Sequence, residues 1–336
     1  MTTVTMFDTK KYDREYLGAA LEAAGLQVKY REFRLNPETV EAIVPGSSEV
    51  VCVFVNDKVS REVIEELAAR GVKMIALRCA GFNGVDLKAA EEHGILVARV
   101  PAYSPYAVAE HAVTLAMALN RRIPQANRRV RDMNFTLDGL VGFDMHGKTV
   151  GLIGTGKIGK IAGQIFKGFG TRVIMWDPYP DKAWAEEQGL EYVTLSEIGR
   201  KADIVSLHVP LFPETEHIIN ELVLKELKKG VIIINVSRGA LIDTKALIES
   251  LKEGHVAGVG LDVYEEEEGK FFEDLSGEVM TDDVLARLLT FPNVIVTAHQ
   301  AFLTAEALGE IARVTTENVL AFQAGESPEE SRIVKA

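Results

Sequence analysis

Residues 149–177, TVGLIGTGKIGKIAGQIFKGFGTRVIMWD, constrain this chain more than any other stretch. An apolar run at 150–153 enters a glycine pattern at Gly154, Gly156 and Gly159. A helical segment follows, then a second apolar run at 173–176 closed by Asp177. The order is strand, Gly-x-Gly-x-x-Gly turn, helix, strand, acid. Gly154 permits a tight turn, Gly156 lets backbone approach a pyrophosphate, and Gly159 lets helix and strand pack closely. The helix N-terminus adds N–H groups and a partial positive charge. Asp177 is placed to accept hydrogen bonds from the adenosine ribose. A glycine pattern alone is weak evidence, since a plain βαβ turn also uses glycine; both strands and the acid make it a dinucleotide site. A carboxylate at 177 repels a 2′-phosphate, and Pro178, Tyr179 and Pro180 follow without a base, so NAD is favoured over NADP.

A chain of 336 residues has room for two domains. The 49 acids against 37 bases give a net charge of −12, which argues against nucleic acid or an anionic membrane as partner. Cys52 and Cys79 are the only cysteines, too few for a disulfide framework and consistent with a reducing compartment. The N-terminus MTTVTMFDTKKYD lacks the apolar core of a signal peptide, and no run approaches the length of a membrane span. The expectation is a cytoplasmic protein.

Before the glycine turn, strands are expected at 4–7, 27–30, 50–55 and 74–77, with helices at 12–24 and 60–70, the second capped by Ser60. This part has α/β patterning without the three-glycine fingerprint and reads as a separate, smaller unit. The segment AVAEHAVTLAMALN at 107–120 is a helix too apolar for a surface, so it is expected to be buried between domains or subunits. The basic residues Arg121, Arg122, Arg128, Arg129 and Arg131 read as a solvated helical face. Beyond the turn, strands are expected at 204–209, 231–236, 256–261 and 294–298. Helices are expected at 221–228, 244–253, 282–289 and 304–324, the last running to a polar tail. Residues 269–281 read as a long loop.

In open parallel sheets ligands bind outside the carboxyl ends of the strands. Arg238, Asp262 with Glu267, and His299 all stand just past such ends. His299 is the natural proton donor and acceptor near neutral pH; a histidine satisfied by backbone is the plainer alternative. The other six histidines lack this setting, although His208 precedes a cofactor-side turn. Glu267 is a candidate partner for the imidazole, or one solvated acid among Glu265 to Glu268. Asp262 is placed to hold a nicotinamide amide or to orient Arg238. Arg238 offers a planar fork that matches a carboxylate, and the small residues in NVSRGALID leave it accessible.

Together these stretches resemble the D-isomer-specific 2-hydroxyacid dehydrogenases over nearly the whole chain. GTGKIG with Asp177, HVPLFPET at 208–215, NVSRGALID at 235–243, LDVYEEE at 261–267 and AHQAF at 298–302 carry the likeness. LRCAGFNGVDL at 77–87, VPAYSPYAVAEHA at 100–112, FFEDLSGEVMTDD at 271–283 and HQAFLTAEAL at 299–308 resemble its fermentative, D-lactate-forming branch. The resemblance implies two doubly wound parallel-sheet α/β domains with an active-site cleft between them. A smaller flavodoxin-like substrate domain would comprise 1–101 and 300–336, and a Rossmann NAD-binding domain 102–299. It implies Arg238 on the substrate carboxylate and carbonyl, His299 as acid–base residue, and Glu267 as its partner. Lys157 and Ile158 would lie at the pyrophosphate, Asp177 at the ribose, and Val209, Pro210 and Thr215 on the adenosine side. Thr215 stands where relatives carry Asn. Val236, Ser237 and Asp262 would lie toward the nicotinamide. Backbone at Ala80 and Gly81 would hold the substrate carboxylate, with Tyr103 and Phe302 shaping a pocket for a methyl group. The implied reaction is reversible NADH-dependent reduction of pyruvate, with NAD as the cofactor and no metal. The competing readings are a relative acting on a larger 2-keto acid and a non-catalytic NAD-sensing scaffold. The implied assembly is a homodimer through the helix at 104–122, with a tetramer as the alternative.

Overall fold

Apolar runs without polar alternation form strands covered on both faces. In the computed structural model, which describes residues 2–267 and 269–336, the central strands of each sheet are covered in this way. Glu268, the last of the acidic run, lies outside the described residues. The chain divides into two units, Met1–Ser104 with Leu303–Ala336, and Pro105–Phe302.

The first unit holds β1 (Thr3–Met6), β2 (Gln27–Tyr30), β3 (Val50–Val53), β4 (Met74–Leu77) and β5 (Leu96–Ala98). They form a parallel sheet in the order β2-β1-β3-β4-β5. The long helix Ala305–Gln323 returns to this sheet, setting Ala312 and Val319 among Val4, Met6, Leu17 and Leu21. The polar tail is not free: Ile333 bridges Ala98 and the Val334 N–H donates to the Val97 carbonyl, so the tail covers the edge at β5. The first helix is interrupted by a π segment, Arg14–Gly18, where a Cβ on Gly18 would lie 2.3 Å from the Tyr30 hydroxyl. Ser60 occupies the N-cap of Arg61–Ala69, but its hydroxyl makes no capping bond there.

The second unit holds β6 (Thr149–Ile153), β7 (Arg172–Trp176), β8 (Glu191–Tyr192), β9 (Ile204–Leu207), β10 (Val231–Asn235), β11 (Val256–Leu261) and β12 (Val294–Val296). All pair in parallel, in the order β12-β11-β10-β9-β6-β7-β8. The apolar helix Pro105–Asn120 is buried within this unit, against the sheet and the helix Lys157–Gly168. Its buried residues thus belong to the core of this unit, while Tyr106, Glu110 and Thr114 stay exposed. Gly258 and Gly260 make its seat, since a Cβ on Gly260 would come within 3.0 Å of the Leu115 Cβ. Arg121, Arg128 and Arg131 are solvated as expected. Residues 265–281 carry no helix or strand among the described residues, consistent with a long loop.

One row of paired residues crosses six strands near their carboxyl ends: Trp176, Ile153, Leu207, Asn235, Leu261 and Val296. Just past this row the chain leaves the six strands at a common edge. In the same order, it places Asp177, Gly154, His208, Arg238, Asp262 and His299 there. Sequence order reverses around β6 and β9, the switch point at which open α/β sheets bind ligands.

Candidate active site

At the β6 end the backbone is shaped for close approach. Gly154 has φ +103°, and a Cβ there would lie 2.6 Å from the His208 and Val209 backbone. A Cβ on Gly159 would lie 2.1 Å from the Gly154 carbonyl oxygen. Gly156 opens instead onto empty space. The N–H groups of Gly156, Lys157 and Ile158 donate to no acceptor among the described residues. These are the free donors of a helix N-terminus, and the residues fit a pyrophosphate. Asp177 also braces the turn: Oδ2 accepts from the Thr155 N–H (2.6 Å) and hydroxyl (3.0 Å), and Oδ1 from the Tyr179 N–H (2.8 Å). Oδ1 keeps one lone pair for a further donor. Thr155, not singled out in the sequence, thereby aims the acid.

Below this turn the His208 Nδ1 is buried without a hydrogen-bond partner, and Nε2 lies 2.9 Å from the Ser206 hydroxyl. Burial pushes this imidazole down to about 4, so it is neutral at pH 7. Val209 is buried and Pro210 exposed. The Thr215 hydroxyl donates to the Pro210 carbonyl (2.7 Å) and accepts the Phe212 N–H (2.8 Å), so this residue shapes the loop. The Ser237 hydroxyl donates to the Val209 carbonyl and ties the β9 and β10 ends together.

Past β10, fully buried Asn235 builds the arginine turn. Its Oδ1 accepts the Ser237 N–H (3.0 Å) and its Nδ2 donates to the Arg238 carbonyl (2.8 Å). Buried Val236 and half-buried Gly239 flank it, and a Cβ on Gly239 would lie 2.0 Å from the Tyr264 carbonyl carbon. The turn therefore abuts the loop that carries Glu267. The half-buried Arg238 guanidinium donates through Nη1 to the Ser237 carbonyl (2.7 Å). No carboxylate among the described residues lies within 4 Å of it. A half-buried cation without a counter-ion is a ready anion receptor.

Asp262 performs a structural task that the sequence did not suggest. It is fully buried, and its oxygens bracket residues 297–301. Oδ1 accepts the Thr297 hydroxyl (2.6 Å) and the Gln300 N–H (2.8 Å); Oδ2 accepts the Ala301 N–H (3.0 Å). The His111 Nε2 lies 3.3 Å from Oδ1 and 3.0 Å from the Thr297 hydroxyl. Orientation of Arg238 by Asp262 is not seen among the described residues. His111, which the sequence did not single out, lies on the buried face of its helix with Val108, Ala112 and Leu115, the one signal that could have found it.

This bracket presents His299. Ala298 and His299 both adopt left-handed backbone, with φ of +51° and +59°. The His299 N–H donates to the Asp262 carbonyl (2.5 Å). Nδ1 lies 2.9 Å from Glu267 Oε1, while Glu267 Oε2 accepts the Tyr264 N–H (3.3 Å). With Nδ1 donating to the Glu267 carboxylate, Nε2 is left without a partner among the described residues. The Phe272 ring lies 5.8 Å from the imidazole.

The bracket gives a stability prediction. Burial alone would raise the Asp262 carboxyl, but hydrogen bonds from His111, Thr297 and the Ala301 N–H outweigh it and hold it below the ordinary carboxylate value of 3.8. A depressed folded-state value means stability present above 3.8 and lost as pH falls through that depressed value. Thermal melts of wild type should show this acid limb, and Asp262→Asn should melt lower at pH 7 with a weaker limb. Melting curves that superimpose across pH would refute the bracket.

Ala80, Gly81 and Tyr103 lie in the first unit, at half-buried positions after β4 and β5. Phe302, buried, is the last residue of the second unit. Among the described residues no group of three His, Cys, Asp or Glu side chains is placed to hold a metal. Among them also no helix is long and apolar enough to cross a membrane.

A dinucleotide turn, a free arginine and a histidine–glutamate pair on one edge of a parallel sheet define an NAD-dependent oxidoreductase. The chain belongs to the D-isomer specific 2-hydroxyacid dehydrogenase family, whose NAD binding domain matches residues 113–301. It is 51% identical over 324 residues to the D-lactate dehydrogenase of Escherichia coli, covering 96% of this chain and 98% of that one. The structure of the pyruvate reductase of Chlamydomonas reinhardtii has a TM-score of 0.93 at 43% identity, over 98% of both chains. The D-lactate dehydrogenase of Lactobacillus jensenii, solved with NAD+, has a TM-score of 0.82 at 32% identity, over 100% of both chains.

Proposed function

We propose that the protein catalyses the reversible NADH-dependent reduction of pyruvate to D-lactate. The observation that carries this reading is the free Arg238 and the Glu267-oriented His299 on one sheet edge, just past the register row that also ends at the glycine turn. The relatives named D-lactate dehydrogenase and pyruvate reductase support the choice of substrate. Gly154, Gly156, Lys157, Ile158, Gly159 and Asp177 hold the pyrophosphate and ribose. Val209, Pro210 and Thr215 wall the adenosine, while Val236, Ser237 and Asp262 support the nicotinamide end. Bound NADH supplies the hydride.

Arg238 pairs with the substrate carboxylate and polarises the ketone. His299 Nε2 donates its proton to the carbonyl oxygen, and Glu267 keeps Nδ1–H in place so that Nε2 is the nitrogen that exchanges it. In lactate oxidation the neutral imidazole takes that proton back. The N–H groups of Ala80 and Gly81 bind the carboxylate, and Tyr103 and Phe302 enclose the methyl group. The protein acts in the cytoplasm as a homodimer. Exposed Ile123, Val130, Met133, Phe135, Leu137 and Val141, beside the helix Pro105–Asn120, support a second copy as partner. Incubation with pyruvate and NADH followed by chiral analysis should yield D-lactate. L-lactate, or no NADH oxidation with pyruvate, would overturn the assignment.

A further inference from the structure

The loop after β4 carries two backbone donors that the fold does not use. The N–H groups of Ala80 and Gly81 have no acceptor among the described residues, although both residues are half-buried. Unused donors in such a place await an acceptor from outside the fold. Their direction is set from β5. Arg99, the first residue past that strand, donates through Nη1 to the Ala80 carbonyl at 2.9 Å. Its guanidinium also stacks on the Phe82 ring, with Cζ 5.1 Å from the centroid. The Ala80 carbonyl and the Gly81 N–H belong to one planar trans peptide, so they point in opposite directions. A cation fixed on the oxygen side therefore aims the Gly81 N–H away from itself. It also polarises that N–H, because hydrogen bonds in a chain strengthen one another. The Cys79 Sγ, 3.2 Å from the Gly81 carbonyl oxygen, holds the next peptide in the same way.

Arg99 has charge to lend. No carboxylate among the described residues lies within 4 Å of it, and its Nε is buried without a hydrogen-bond partner. Its main chain is fixed at both ends. Its N–H donates to the Arg332 carbonyl (2.8 Å), and its carbonyl accepts from Asn318 Nδ2 (3.2 Å). Arg332 is itself held by Glu317 and Glu329, both at 2.9 Å.

We propose that Arg99 is a positioning residue for the substrate carboxylate: it orients and polarises the Gly81 N–H through the Ala80 carbonyl. This rests on the pyruvate reading above, in which Ala80 and Gly81 bind that carboxylate. Because Arg99 acts through the Ala80 peptide, its loss should appear in substrate affinity and in recognition of the charge. In the full-length enzyme, Arg99→Met should raise KM for pyruvate about 10- to 100-fold, the range for a hydrogen bond to a charged group. Changes in kcat should stay below fivefold, and NADH affinity within twofold. With pyruvamide, where a neutral amide replaces the carboxylate, kcat/KM should fall less than threefold. Arg99→Lys should recover part of the pyruvate KM, and Phe82→Leu, which removes only the ring under the guanidinium, should reproduce a small share of the effect. An unchanged pyruvate KM in a folded Arg99→Met enzyme overturns the proposal, as does an equal loss on pyruvate and pyruvamide. If Arg99→Met does not fold, the same two-substrate comparison on Arg99→Lys and Phe82→Leu decides. Wild type that reduces another 2-keto acid but not pyruvate would refute the pyruvate reading alone, and the Arg99 test would then be run on that acid and its amide.

Discussion

Replacing His299 by alanine is expected to lower kcat for pyruvate reduction by about 10²- to 10⁴-fold, the usual contribution of a positioned acid–base group, with NADH affinity unchanged. The independence of the two effects has a structural basis. The glycine turn and Asp177 sit at the β6 and β7 ends, whereas His299 stands beyond β12, at the end of the register row. Its position is costly to maintain. Two successive non-glycine residues in left-handed backbone cost about 1–2 kcal/mol each. The Asp262 bracket offsets this with three hydrogen bonds accepted by its side chain and one accepted by its carbonyl from the His299 N–H. A buried carboxylate with these partners is therefore part of how the imidazole is presented, although no atom of it reacts. Glu267→Gln keeps the shape of the partner without its charge and should lower kcat less than His299→Ala does. If His299→Ala turned over pyruvate at the wild-type rate, the proton would have to come from elsewhere.

The parts of this arrangement visible in the sequence are those set by local chemistry. Buried parallel strands are continuous apolar runs, so the strand positions are legible, and the strand-end placement of Arg238, Asp262 and His299 comes with them. The strands at 204–209 and 231–236 read one or two residues too long because burial outlasts pairing. Val209 and Val236 are buried beneath loops after the ladder has stopped. Short elements such as Leu96–Ala98, Lys182–Gln188 and Leu195–Lys201 carry too few residues for a periodic signal. The π segment at Arg14–Gly18 lies where Tyr30 of β2 crosses close over Gly18, a contact between separate elements. The task of Asp262 is hidden for a related reason. An acid past a strand end looks the same whether it faces a ligand or gathers backbone donors from thirty-odd positions away. Arg99 gives no signal at all, because its partner is a carbonyl and every residue has one.

Arg238→Ala is expected to weaken pyruvate binding and slow its reduction together. Truncating one partner of a desolvated charge pair costs about 2–5 kcal/mol, or roughly one and a half to four decades in kcat/KM. Two features of the structure argue for the full range. The guanidinium has no carboxylate of its own within the described residues, so no internal ion pair weakens its pull on the substrate. The Asn235 side chain grips the turn from both sides, so the fork does not have to be ordered when substrate arrives. Arg238→Lys should recover little, because a point charge cannot match both carboxylate oxygens as the planar fork does. The Asn235→Ala enzyme offers a graded comparison: the charge stays but the turn loosens, and the loss should fall between wild type and Arg238→Ala. Steady-state kinetics on the three variants, with NADH binding measured separately by its fluorescence, would separate anchoring from coenzyme affinity. Unchanged pyruvate kinetics in Arg238→Ala would leave the substrate carboxylate without its principal counter-charge, and the assignment of this edge as the reaction site would fall with it.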